Sequence, residues 1–117
     1  MRTHDMSQVE QIRITIEQKK EMIALGDAVS RIVKNRDWKK LVDIEFFENE
    51  PKRLVSLLAH PAMQDEASQA EIRNQMLAIA YFRQFLARVE MFAEQARGSL
   101  PADQATEVEL LEEDVQE

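Results

Sequence analysis

Turn-forming residues are scarce in this chain, which holds two glycines and three prolines among its 117 residues. A β-sandwich or β-barrel needs a turn between successive short strands, and such turns are built mainly from glycine, proline and asparagine. Gly26 and Gly98 each stand alone, so the chain also lacks the glycine-rich loop of a P-loop or Rossmann fold. The sequence therefore predicts an all-α protein.

The length suits one small domain with a thin core. Hydrophobic residues make up 44% and charged residues 32% of the chain, which is typical of a folded protein. The absence of cysteine excludes disulfides, thiolate nucleophiles and cysteine-ligated metals. No apolar run reaches membrane-spanning length and residues 1–13 are polar, so we expect neither a transmembrane helix nor a signal peptide.

Helical spacing of apolar residues predicts a long first helix over roughly residues 8–34, capped by Ser7. Gly26 lies inside this helix and indicates a close approach of a second helix. Asn35 is expected to end the helix in the left-handed cap conformation. A second helix is predicted over about 37–47.

A break is predicted at Asn49-Glu50-Pro51, because proline is favoured in the first turn of a new helix. A third helix follows over about 51–59. It is expected to stop at His60, since the residue before Pro61 is disfavoured in the helical region. The two short helices should form a hairpin.

Asp65 or Ser68 should start the last long helix, and Gly98 should end it, with Pro101 at the usual offset beyond a helix end. Two apolar rows run along this helix, so it should pack on two sides. The first row is Ile72, Ile79, Phe82, Leu86, Val89, Ala93 and Ala96, and the second is Leu77, Tyr81, Phe85 and Phe92.

The predicted fold is a small helical bundle of two long antiparallel helices with the short helical hairpin between them. We expect a single helical domain over residues 1–98. Residues 99–117 form an acidic tail, either flexible or a short docked helix, which carries the whole net charge of −7. Such a tail solvates a chain or binds a basic partner. Its candidate acidic arm is Glu107, Glu109, Glu112, Glu113 and Asp114.

Residues capable of catalysis are few. His4 lies near the terminus, and His60 lies next to proline with no carboxylate at metal-pair spacing on its helix. Glu45, Glu48 and Glu50 are expected to be solvated or to cap helices. We therefore expect no enzyme, no catalytic residue, no metal and no cofactor.

Two surfaces are candidates for binding. A basic patch surrounds Trp38 and could contact phosphates or an acidic segment, although residues 1–98 are neutral overall. The last helix offers an apolar interface for protein partners, including further copies of the chain. The patch is Arg31, Lys34, Arg36, Lys39 and Lys40, and the interface is Tyr81, Phe85, Val89, Met91 and Phe92.

A set of packing and capping residues lies within residues 23–64 and 72–89. It comprises Leu25-Gly26, Lys34-Asn35 with Asp37 and Trp38, Glu50 before Arg53-Leu54-Val55, Leu57-Leu58-Ala59, Pro61 with Met63-Gln64, and Phe82-Arg83-Gln84-Phe85-Leu86. In these residues the chain resembles a family of small uncharacterised helical proteins of tailed bacteriophages. The resemblance implies a phage context and no particular activity.

The leading interpretation is a non-catalytic bacteriophage protein that acts through protein–protein contacts, as an oligomeric component of virion structure or assembly. One alternative is an accessory inhibitor that binds a host defence protein. Another is a nucleic-acid-binding packaging or regulatory subunit that uses the basic patch. We expect the protein in the host cytoplasm or in the virion, and not in a membrane.

Overall fold

The computed structural model describes residues 6–116, and it contains helices and no strand over that range. The prediction of an all-α protein is therefore confirmed. The helices are α1 (Met6–Ile32), α2 (Arg36–Trp38), a π-helix (Lys39–Asn49), α3 (Glu50–Ala59), a 3-10 turn (Pro61–Met63) and α4 (Glu66–Gln116). The chain divides into two compact units, which we name the paired-helix unit (Met1–Ala28 with Val89–Glu117) and the central unit (Val29–Arg88).

In the paired-helix unit, α4 packs against α1 in the antiparallel direction. Three ion pairs establish this direction, because the number of the α4 residue falls as the number of its α1 partner rises. They are Arg13–Glu107, Lys19–Asp103 and Asp27–Arg97.

Residues that face the partner helix recur every three or four positions on both helices of this unit. This is the seven-residue pattern of a coiled coil. All the positions of the two rows are buried or half-buried: Val9, Ile12, Ile16, Lys19, Ile23 and Gly26 on α1, and Val89, Ala93, Ala96, Leu100, Asp103, Glu107, Leu110 and Asp114 on α4. The first α4 row predicted from sequence is therefore buried or half-buried where it passes through this unit.

The two helices approach closely where Gly26 of α1 lies against Ala93 of α4. A Cβ built on Gly26 would overlap the Ala93 side chain. Only glycine fits this crossing without moving the helices apart. The prediction of close helix packing at Gly26 is confirmed.

The central unit has a core of Leu54 from α3 with Ile72 and Ile79 from α4. Half-buried apolar side chains surround these three, including the aromatic rings of Phe46 and Phe47. Trp38, Phe46 and Phe47 all contact the ring of Phe82, with centroid distances of 5.8 to 6.2 Å.

The predicted break at residues 49–51 is wrong, because Asn49 and Glu50 have helical dihedral angles and the π-helix runs directly into α3. The Glu50 N–H donates to the Glu45 carbonyl, five residues back. At the next residue the hydrogen-bond pattern changes from the five-residue spacing of the π-helix to the four-residue spacing of α3. That residue is Pro51, which has no N–H, so no backbone donor is left unpaired by the change. The turn of the predicted hairpin is absent.

The prediction for Asn35 is also wrong. Its backbone is extended (φ −66°, ψ 135°), and its side chain caps α2 by accepting from the N–H groups of Asp37 and Trp38 at 2.9 and 3.1 Å. Two other boundaries are confirmed. Asp65 caps α4, accepting from the Ser68 N–H at 2.9 Å, and His60 ends α3 in an extended conformation.

Gly98 does not end the last helix, because α4 continues through Gly98 and Pro101 to Gln116. Pro101 removes one N–H from the helix interior, which costs about 3 kcal/mol in an isolated helix. Contacts beyond the proline compensate for this loss. Asp103 and Glu107 each form an ion pair with α1 within the paired-helix unit.

Candidate protein-binding surfaces

Two of the five predicted interface residues lie on an exposed row of α4 in the central unit. Tyr81 is 62% exposed and Phe85 is 48% exposed, and Leu77 precedes them at the same four-residue spacing. We name these three residues the α4 apolar row. Ile72 and Ile79, on the opposite face of the same helix, enter the core. The row therefore lies outside the core of its own unit.

A cation accompanies this row. The Arg88 guanidinium carbon lies 5.8 Å from the centre of the Phe85 ring, within cation–π range. Aromatic and arginine side chains are the residue types most enriched where proteins bind one another. The chemistry of the row therefore fits a protein-binding surface.

The remaining three predicted interface residues lie in the paired-helix unit and do not share one environment. Val89 is half-buried on the coiled-coil row, so it is not part of an exposed surface. Met91 is exposed. Phe92 is 41% exposed and borders a groove between α1 and α4.

That groove has a volume of about 330 Å³. We name it the coiled-coil groove. Lys19 is its one charged lining residue, and its ammonium group is paired with the Asp103 carboxylate. Met22 faces Phe92 across the groove as the second large apolar side chain. The lining is Thr15, Gln18, Lys19 and Met22 from α1, and Phe92, Gln95, Ala96 and Ser99 from α4.

All five residues of the basic patch are exposed, and the structure gives none of them an ion-pair partner among residues 6–116. Trp38, by contrast, is half-buried and packs edge-on against Phe82 at 6.2 Å. Its ring is therefore committed to the central unit and does not offer a free stacking face. The patch remains a surface of positive charge.

The candidate acidic arm is divided by its contacts. Glu107 is half-buried and binds Arg13 at 3.0 Å, and Asp114 is half-buried as well. Glu109, Glu112 and Glu113 are exposed. The arm is thus divided between two sides of α4: Glu107 and Asp114 lie on the row that faces α1, and the other three carboxylates lie on the exposed side.

His60 and Glu50 each form local hydrogen bonds within the central unit. His60 accepts a hydrogen bond at Nδ1 from the Ala62 N–H at 3.1 Å, which closes the turn after α3. Arg53 donates to both carboxylate oxygens of Glu50 at 2.6 and 2.9 Å and lowers the pKa of that carboxyl. Residues 6–116 contain no group of three side chains placed to hold a metal ion. His4 lies outside the described residues.

Sequence reasoning missed two glutamines that tie the end of α3 to the start of α4. The Gln69 amide donates to the carbonyls of Leu58 and Met63 at 3.0 and 2.8 Å. Gln64 also donates to the Leu58 carbonyl, at 2.9 Å. No spacing rule marks such residues, because a glutamine can reach carbonyls on several neighbouring segments.

Comparisons of the chain with protein-family models, with curated proteins and with solved structures each gave no match. The bacteriophage resemblance therefore stays a prediction based on the residues that carry it. Among residues 6–116, no helix combines the length and the apolar character needed to cross a membrane.

Proposed function

We propose that the protein works by binding other proteins through its helical surfaces, as an oligomeric component of bacteriophage structure or assembly in the host cytoplasm or the virion. The exposed α4 apolar row carries this proposal. The phage setting rests on the sequence resemblance alone.

The energetic argument uses the size and spacing of the three side chains. Leu77, Tyr81 and Phe85 lie at four-residue intervals and so extend over about 12 Å of one helix face. Fully burying a side chain of this size contributes about 1.5–3 kcal/mol. Tyr81 is 62% exposed and the other two side chains are each 48% exposed, so a partner that covered the row would gain about half of that from each. The row can therefore supply the apolar centre of an interface.

The test is the mass of Phe85→Asp in solution, by light scattering at ~0.15 M salt. The substitution places a charge within the proposed contact, so the oligomer should dissociate. Ala87→Asp is the matched control. It adds the same charge two residues away on an exposed position of α4, off the row. Equal masses for both variants and the unmodified chain would reject the row as a self-association surface.

Nucleic-acid binding is a second candidate, favoured by five exposed cations without ion-pair partners among residues 6–116. Phosphate contacts are strongest at low salt. Binding of duplex DNA at ~50 mM salt that is lost in Lys39→Ala/Lys40→Ala would support this candidate. A protein that neither self-associates nor binds DNA would favour the inhibitor of a host protein, with exposed Glu109 and Glu112 as part of its contact surface.

A further inference from the structure

The side chains that line the coiled-coil groove form an almost uncharged face, although 32% of the residues in the chain are charged. Seven of its eight lining residues carry no charge, and the eighth, Lys19, is neutralised by Asp103. The ion pairs Arg13–Glu107 and Asp27–Arg97 use none of the lining residues.

The uncharged face extends beyond the groove. Residues three, four or seven positions apart lie on the same side of a helix. By that spacing Gln11 continues the side of Thr15 and Gln18 on α1, and Ala102 and Thr106 continue the side of Ser99 on α4. None of the three added residues is charged.

Two of the three hydroxyl groups of this face are already satisfied by the protein. Ser99 Oγ donates to the Gln95 carbonyl at 3.1 Å, and Thr106 Oγ1 donates to the Ala102 carbonyl at 3.0 Å. A buried polar group is costly chiefly when its hydrogen bond is unmade. Covering these two hydroxyls therefore costs little. Met22 and Phe92, 39% and 41% exposed, supply the apolar surface that covering would remove from water.

We propose that this face binds the same face of a second copy, in a two-fold dimer that converts the antiparallel helix pair into a four-helix bundle. In a two-fold interface the same surface patch is used by both copies. A charged face would meet its own charges there, whereas this face has no unpaired charge in its lining. Glutamine has both donors and acceptors, so Gln18 and Gln95 can pair with the glutamines of the second copy.

The size of the face sets the strength of this dimer. From Gln11 to Met22 α1 contributes about 17 Å of length, and from Phe92 to Thr106 α4 contributes about 21 Å. Two helices packed 8–10 Å apart give the face a width of about 20 Å. The projected area is thus about 400 Å² per copy, or ~800 Å² in total, which is below the roughly 1,000 Å² of a stable specific interface and corresponds to a weak, transient one. A dimer of this size should dissociate reversibly on dilution.

The first experiment measures the mass of the full chain from ~1 to ~100 µM at ~0.15 M salt. We expect a shift from the 13.6 kDa monomer to twice that mass. Met22→Glu and Phe92→Glu should remain monomeric at all these concentrations. Ile14→Glu, which places the same charge on an exposed α1 position outside the groove, should still dimerise. Helical circular dichroism of each variant shows whether it is folded.

The second experiment uses the absence of cysteine in the chain. A single Met22→Cys substitution lies near the proposed two-fold contact and should be oxidised to a disulfide-linked dimer. Ile14→Cys should be linked far more slowly under the same oxidant. Equal linking of both variants would overturn the proposed face.

These outcomes separate this dimer from self-association through the α4 apolar row. Dissociation by Met22→Glu but not by Phe85→Asp supports the coiled-coil groove. Dissociation by Phe85→Asp but not by Met22→Glu overturns it and leaves the row as the contact surface. A monomer at ~100 µM, with no disulfide-linked Met22→Cys dimer, overturns the groove dimer on its own.

Discussion

Lys19 and Asp103 form an ion pair at core positions of the coiled coil, and its disruption is the sharpest test of the paired-helix unit. The two side chains are 22% and 20% exposed. Removing one partner of a fully buried pair costs about 3–5 kcal/mol, because the other charge is left without compensation. Because both side chains remain partly exposed, water screens part of this cost. We therefore expect Asp103→Ala to lower the free energy of unfolding by about 2–3 kcal/mol.

A more exposed pair on the same two helices gives the matched control. Arg13 and Glu107 are 51% and 27% exposed and lie 3.0 Å apart. Solvent-exposed pairs contribute about 0–1 kcal/mol, so Arg13→Ala should cost no more than that. Because native domains are stable by only about 5–15 kcal/mol, urea unfolding followed by helical circular dichroism resolves the two effects easily.

Replacing both partners at once tests the reason for the loss. Apolar residues in place of a buried ion pair are often neutral or stabilising. Lys19→Leu/Asp103→Leu should therefore recover most of the stability that either single substitution loses, with a coupling free energy above ~1 kcal/mol. Since Lys19 also lines the coiled-coil groove, unfolding is measured at two protein concentrations to separate folding from association. Additive single losses, or a loss in Asp103→Ala no larger than in Arg13→Ala, would refute the reasoning.

Three further predictions concern other parts of the fold. Gly26→Ala should destabilise the protein by about 1–3 kcal/mol in urea unfolding, because the added Cβ overpacks against Ala93. A Cβ added at Gly98 would have no atom within 4 Å, so Gly98→Ala should stabilise α4 by up to ~1 kcal/mol. Gln69→Met should cost about 1–3 kcal/mol, because the Met63 carbonyl loses the Gln69 donor and the Leu58 carbonyl keeps only that of Gln64. Gln75→Met, on the exposed face of the same helix, is its control. The Ser68 hydrogen bonds lower the pKa of Asp65, so this carboxylate stabilises the folded state above its unfolded-state pKa, and the effect disappears as the pH falls through the folded-state pKa. The melting temperature of Asp65→Ala should therefore lie below that of the unmodified chain at neutral pH and converge with it in acid.

Local pattern was sufficient to predict the helices and the side of α4 that turns inward. Apolar spacing correctly selected Ile72, Ile79, Ala93 and Ala96 as buried positions, because a seven-residue repeat keeps one seam facing a partner. The close approach at Gly26 was predictable for a similar reason, since glycine inside a helix costs ~1 kcal/mol and is retained where a neighbour needs the space. The exposed row of Tyr81 and Phe85 also followed from spacing alone.

What sequence reasoning missed depends on residues far apart in the chain. Gly98 and Pro101 carry the local signals of a helix end, yet α4 continues because Asp103 and Glu107 reach α1 residues 84 and 94 positions away. The same pairs explain why the acidic stretch contacts α1 and is not merely a tail. The coiled-coil groove forms only where α1 and α4 lie side by side in the correct register. Neither Met22 nor Phe92 could therefore be assigned to it from the sequence of its own helix alone. The sequence of each helix shows the spacing of its own residues. The surface that the two helices form together can be seen only in the folded protein.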